Sequence, residues 1–285
     1  MPVPAPPVAV VTDSTAYLPQ EARDRHRIRV VPLSVVIGED VRVEGSPGAE
    51  PARIAEALQH RTAVTTSRPG PEAFAAAYRE AAEEGAAEIL SLHLSAELSG
   101  TFEAARLAAA HAPVPVRVLD TRMVAMALGY PVLAAAETIE AGGSVDEAAA
   151  AAAKRAAATA GFFYVDTLEY LRRGGRIGAA RAMLGSALAV KPLLHLADGS
   201  IQPLEKVRTA GRAIARLEEI AVERAGQDEV DVAIHHLTAG ERAEQLAERL
   251  RGRIPKLAEL QVSEVGGVIG AHAGPGLLAV VVAPR

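Results

Sequence analysis

Short aliphatic runs separated by Ala-rich stretches of helical periodicity set the rhythm of this chain. Residues 8–12, 28–37, 89–94 and 116–119 are β-branched or aliphatic runs of strand length, bounded by polar or turn residues, and they read as buried strands. Residues 71–84 and 101–111 between them carry the pattern of amphipathic helices. This alternation predicts an α/β layout with a largely parallel sheet. Residues 121–141 and 145–159 read as two consecutive helices split by Gly142 and Gly143, where a helix readily ends. The texture then changes. A strand is predicted over 162–165, a helix from Thr167 stops at Gly174 and Gly175, and 176–190 resumes helically. Residues 192–196 and 201–207 flank Asp198-Gly199, a strong hairpin signal. Helix 209–224, strand 230–235, helix 240–251, strand 257–262 and a final strand 277–282 complete the pattern. The change near residue 160 predicts an N-terminal α/β domain over 1–160, its largely parallel sheet flanked by helices, and a C-terminal α/β domain over 161–285.

Composition narrows the possible functions. Apolar residues make up 49% of the 285 residues but aromatics only 3%, with no Trp, so the interior is built from Ala, Val, Leu and Ile. Aromatic cages and base-stacking platforms, which grip ligands with π-faces, are disfavoured. The net charge of −5 with no basic block speaks against general nucleic-acid binding, which rests on phosphate neutralisation. Without cysteine there is no thiolate nucleophile and no Cys-based metal site. The dinucleotide-binding, P-loop, nucleophile-elbow and zinc-protease signatures are missing, and the adjacent His235-His236 has the wrong spacing for a helical metal face, so neither metal nor cofactor is expected. Residues 1–7 are Pro-rich and uncharged, unlike a signal peptide, and no apolar run nears the roughly 20 residues of a spanning helix. A cytoplasmic protein without stable membrane insertion is the expectation.

Polar residues gather at predicted strand ends, where open α/β sheets place ligands. Thr12-Asp13-Ser14-Thr15 follows the opening strand, Thr65-Thr66-Ser67 precedes a helix, and Leu98-Ser99-Gly100-Thr101 opens another. Any one of these is an ordinary helix cap, since Ser, Thr and Asp oxygens accept the free N–H groups of a first turn. Their recurrence, with Gly100 leaving the backbone approachable, points instead to an anion such as a carboxylate or phosphate. Residues 266–276 combine five glycines with His272, read as a Gly-rich loop before the final strand. Residues 171–177, with Arg172, Arg173 and Arg176 around Gly174-Gly175, form the densest basic segment. Helix-end electrostatics explains it as well as an exposed anion-binding corner does.

In order and spacing these clusters resemble the DegV family: TDST at 12–15, TTSRPGPEAF at 65–74, LSGTFEAA at 98–105, LDT at 119–121, LRRGGRI at 171–177, KPLLHLADG at 191–199, KVRT at 206–209 and GAHAGPG at 270–276. The match spans nearly the whole chain. The resemblance implies a two-domain α/β fold with a lipid tunnel between the domains that encloses a long-chain fatty acid. In FakB-like members the acyl chain is presented to a separate fatty-acid kinase, which phosphorylates the carboxylate. Carried over by motif, Thr66, Ser99 and His272 would contact the carboxyl group. Asp13, Ser14, Ser67, Gly100 and Ala273 would support them, and Arg172, Arg173, Arg176 and Arg208 would face the partner. Arg68 departs from the pattern, standing where members often have Gln. On this reading the chain is a carrier without catalysis of its own, and a carboxylate beside His272 would favour the protonated imidazole. The alternatives are a hydrolase or phosphotransferase using Ser99 with His272 as base, and a regulatory module that senses a lipid.

Overall fold

The computed structural model describes residues 7–183 and 191–285, so residues 184–190 of the helical expectation over 176–190 lie outside the described residues. The chain forms two compact units. One takes the chain up to Leu33 together with Arg68–Ala157, and the other takes Ser34–Ser67 with Ala158–Arg285. In chain order come β1 (Val8–Asp13), α1 (Gln20–Arg25), β2 (Arg29–Val31), β3 (Ser34–Ile37), β4 (Asp40–Val43), α2 (Pro51–Gln59) and β5 (Val64–Ser67). Then follow α3 (Pro71–Glu83), β6 (Glu88–His93), α4 (Thr101–Ala109), β7 (Val116–Asp120), α5 (Met126–Glu140) and α6 (Val145–Ala158). The remainder is β8 (Ala160–Tyr164), α7 (Glu169–Arg173), β9 (Lys191–Ala197), β10 (Ser200–Val207), α8 (Ala210–Ala225), β11 (Val230–His236), α9 (Gly240–Arg253), β12 (Leu257–Glu264), α10 (Gly267–Ala273) and β13 (Leu278–Pro284).

The first unit is a parallel sheet in the order β2-β1-β6-β7, as the alternating pattern requires. Phe74, Tyr78 and Ala81 of α3 and Ala104, Ala105 and Ala108 of α4 pack with Val11, Val31 and Ile89 of the sheet. The short side chains of α4 let it lie close to the strands. The expected helix over 121–141 starts only at Met126, because its first residues are committed to turns. Thr121 Oγ1 donates to the His93 carbonyl at 2.8 Å, Asp120 Oδ1 accepts the Arg122 N–H at 2.8 Å, and Arg122 and Ala125 both stand at φ +58°.

The second unit holds a six-stranded sheet, β10-β9-β8-β13-β11-β12, and a three-stranded antiparallel sheet, β4-β3-β5. Within the larger sheet only β11 and β12 run parallel, so its strand-and-helix alternation does not give the parallel arrangement of the first unit. The β9–β10 hairpin turns at Asp198-Gly199 as its sequence predicts. Leu217, Ile220 and Ala221 of α8 and Leu246, Ala247 and Leu250 of α9 close the core over Val232, Ile234, Leu278 and Val280.

Two expectations change. The run 28–37 is two strands rather than one, split at Pro32-Leu33. Proline has no N–H to give to a ladder, and β2 and β3 belong to different units. Consequently 34–67, expected within a domain over 1–160, is built into the second unit. There α10 packs against α2, β3 and β5, and Glu44 Oε1 accepts the Val268 N–H at 2.9 Å.

Candidate functional site

Thr66 lies on β5 opposite Val35 of β3, so its hydroxyl group sits on a strand rather than at the helix start the sequence suggested. Strand alternation turns Ser67 to the other face, where it is exposed. Residues 267–273, expected as loop, form α10, and this helix carries His272 to Thr66: Nε2 and Oγ1 are 2.8 Å apart across 206 positions of sequence. Ala273 ends the same helix and is buried.

The other face of the imidazole packs on Gly174, where even a methyl group would fall 2.1 Å from Nδ1. Nδ1 is buried with no hydrogen-bond partner among the described residues. Burial, reinforced by the charge of Arg176, pushes the imidazole down to about 4. Burial therefore favours the neutral imidazole at pH 7, and the protonation that a bound carboxylate would favour has to overcome it.

Ser99 belongs to the first unit. Its backbone N–H reaches the Ser95 carbonyl at 3.1 Å, and its Oγ lies 2.8 Å from Thr101 Oγ1, so it caps no helix. Ser99 is thus brought together with Thr101 and Gly100, whereas Thr66 is brought together with His272. For the hydrolase alternative this matters: Ser99 Oγ and His272 Nε2 are each engaged by a different hydroxyl group. The space above Gly100 is occupied by Arg68, whose Nη1 donates to the Gly100 carbonyl at 3.1 Å.

Asp13 is completely buried and serves the interior. Its Oδ1 accepts from Thr15 N at 3.1 Å and Thr15 Oγ1 at 2.6 Å, and its Oδ2 accepts from Leu94 N at 3.0 Å and pairs with His93 Nδ1 at 3.1 Å. His93 Nε2 meets Ser91 Oγ at 2.7 Å, and Tyr78 donates to Ser91 at 2.9 Å. Because Ser91 accepts from Tyr78, its own proton is available to Nε2, which leaves the Nδ1 proton for Asp13. Hydroxyl, imidazole and carboxylate stand in the order of a nucleophilic relay. Yet Ser91, His93 and Asp13 are all fully buried, and the array instead ties β1 to the start of the loop carrying Ser99. The sequence reading missed Tyr78, Ser91 and His93. Their signal was the polar alternation in Leu90-Ser91-Leu92-His93, two polar groups on one face of a buried strand. Ser14, the other supporting residue, accepts the Leu33 N–H at 3.1 Å.

The arginine segment is largely self-neutralised. Arg172 and Arg173 both bind Glu169 at 2.7 Å and hold its carboxyl down to about 2, while Arg176 donates to the Gly174 carbonyl at 2.6 Å. Arg208 is exposed just beyond β10. Among the described residues no cluster of three or more His, Asp or Glu side chains could hold a metal ion, and no helix is long and apolar enough to cross a membrane.

A family model described as "Uncharacterised protein, DegV family" matches residues 7–285. The chain belongs to the DegV family. A DegV domain-containing protein of Streptomyces coelicolor is 66% identical over 98% of this chain and 99% of its own length. Among solved structures, a DegV family protein from Thermus thermophilus described for its fatty-acid binding superposes with a TM-score of 0.92 at 35% identity, covering 98% of this chain and all of its own. DegV of Bacillus subtilis, described as a fatty acid binding protein, gives 0.90 at 34% identity, covering 99% of this chain and 100% of its own. The mixed α/β fold is the one these DegV structures share.

Proposed function

We propose that this DegV protein binds one long-chain fatty acid in an internal tunnel, holds its carboxylate with Thr66 oriented by His272, and presents it to a fatty-acid kinase. The Thr66–His272 hydrogen bond carries the reading, in a chain similar over its full length to DegV proteins described as fatty-acid binding. A neutral imidazole has one N–H. Placing it on Nδ1 would bury a donor with no partner, the costlier kind of orphan, so the Nε2 tautomer is favoured and donates to Thr66 Oγ1. The Thr66 hydroxyl proton is then available to an outside acceptor, and a carboxylate is the acceptor proposed. Ser99 is assigned as a further carboxylate donor on the resemblance, and so are Arg172, Arg173, Arg176 and Arg208 as the kinase-facing side.

Magnitudes divide the labour between tail and head. About 15 buried methylenes at ~0.8 kcal/mol each give on the order of 12 kcal/mol before ordering costs, against ~1.5–3 kcal/mol for a hydrogen bond to a charged group. The tail supplies affinity and the hydroxyl groups orient the head. Native mass spectrometry with organic extraction of the purified protein should find one long-chain fatty acid per chain. Thr66→Val should weaken binding by roughly ten- to hundredfold with the fold retained. Protein that carries no fatty acid and takes up none when it is added would overturn the proposal, as would turnover of acyl esters abolished by Ser99→Ala.

A further inference from the structure

We propose that Arg68 is a specificity-determining residue of the head-group site: its guanidinium, braced on Gly100 beside Ser99, selects ionised lipid head groups over neutral ones. This rests on the fatty-acid reading above and extends it to a residue that the family motif does not assign.

Three observations carry it. The first is placement. Arg68 Nη1 donates to the Gly100 carbonyl at 3.1 Å, and a Cβ on Gly100 would fall 2.3 Å from Nη1, 3.0 Å from Cδ and 3.1 Å from Cζ. Gly100 has an ordinary φ of −75°, so its backbone does not call for glycine, and the guanidinium lies in the space that a side chain there would take. A long, mobile side chain is thereby held next to a hydroxyl group already assigned to the head-group site.

The second is that the charge is not spent within the protein. A guanidinium has five N–H donors, and among the described residues one of them is committed, to a neutral carbonyl oxygen. No ion pair engages Arg68 among the described residues. Glu103, in the first turn of α4, feels the charge, but both of its oxygens are forked onto Arg106 at 2.7 and 2.9 Å.

The third is contrast. In a chain of net charge −5, Arg172 and Arg173 are paired with Glu169 on the surface of their helix, whereas Arg68 forms no ion pair with an acid among the described residues. The planar fork is the donor geometry that suits a carboxylate, and it suits a phosphate equally. Because Arg68 is exposed, its effect should be modest and sensitive to salt.

The test titrates dodecanoate and dodecanol into the full chain and into Arg68→Gln and Arg68→Lys, by calorimetry, at low salt and at ~0.5 M salt. The expected result is a roughly three- to tenfold loss of dodecanoate affinity in Arg68→Gln at low salt, shrinking at high salt, with dodecanol affinity unchanged. Arg68→Lys keeps the charge without the fork and should fall between the two. Equal dodecanoate affinity in the parent and Arg68→Gln would overturn the assignment, and so would an equal loss for both lipids, which would make Arg68 only a brace for Gly100. A parent protein that binds neither lipid would sink the fatty-acid reading and this assignment with it.

Discussion

Replacing Asp13 by Ala should destabilise the protein by about 3–5 kcal/mol, because several buried donors lose their acceptor at once and each costs roughly 1–3 kcal/mol when left unpaired. The carboxylate is completely buried and accepts from Thr15 N, Thr15 Oγ1 and Leu94 N while pairing with His93 Nδ1. Truncation strands all of these donors in an interior that water does not reach, and each costs more unpaired than it contributed paired. Asp13→Asn should also destabilise, because its amide NH2 would face donors on whichever side it turned. Urea unfolding should register the loss. Hydrogen exchange should localise it to β1, β6 and the amides of residues 94–100, with the six-stranded sheet of the other unit protected as before. An Asp13→Ala protein within about 1 kcal/mol of the parent would mean that the network is dispensable.

Acidification should destabilise the second unit through two buried imidazoles. Burial, with the nearby charge of His236, pushes His235 down to about 4, and burial with Arg176 does the same for His272, against an ordinary value of 6.5. Between pH 6.5 and 4 the unfolded chain takes up protons that the folded chain refuses, so stability rises with pH across that window and is lost as pH falls through it. Each residue contributes on the order of 3 kcal/mol over the full window. Urea midpoints measured at pH 7 and pH 4.5 should differ clearly in the parent and less in His235→Gln and His272→Gln, since glutamine keeps a polar contact and does not titrate. An unchanged pH dependence in both variants would show that other groups govern acid sensitivity. The same depression predicts that the His272 imidazole of the ligand-free protein, followed by NMR, does not titrate between pH 5.5 and 8.5.

The motif TDST drew attention to Asp13 as a support of the head-group site, yet nothing local distinguishes a carboxylate that touches a ligand from one enclosed by Thr15, His93 and Leu94. His93 stands inside an apolar run, where its pairing with Asp13 has no local marker.

By itself the sequence determined the family and many of the elements. Period-two and helical patterns report which face of a segment is buried, and that was enough for β1, β6, β7 and most of α3, α4, α6, α8 and α9. Asp198-Gly199 fixed a hairpin because a two-residue turn depends on local backbone angles alone. Tertiary structure decided what those faces pack against. It sent 34–67 to the second unit, folded the glycine-rich stretch around His272 into α10, joined that residue to Thr66, and laid Arg68 on Gly100. Each of these depends on partners between 32 and 224 positions apart, and a pattern of polarity along the chain encodes burial without naming the partner.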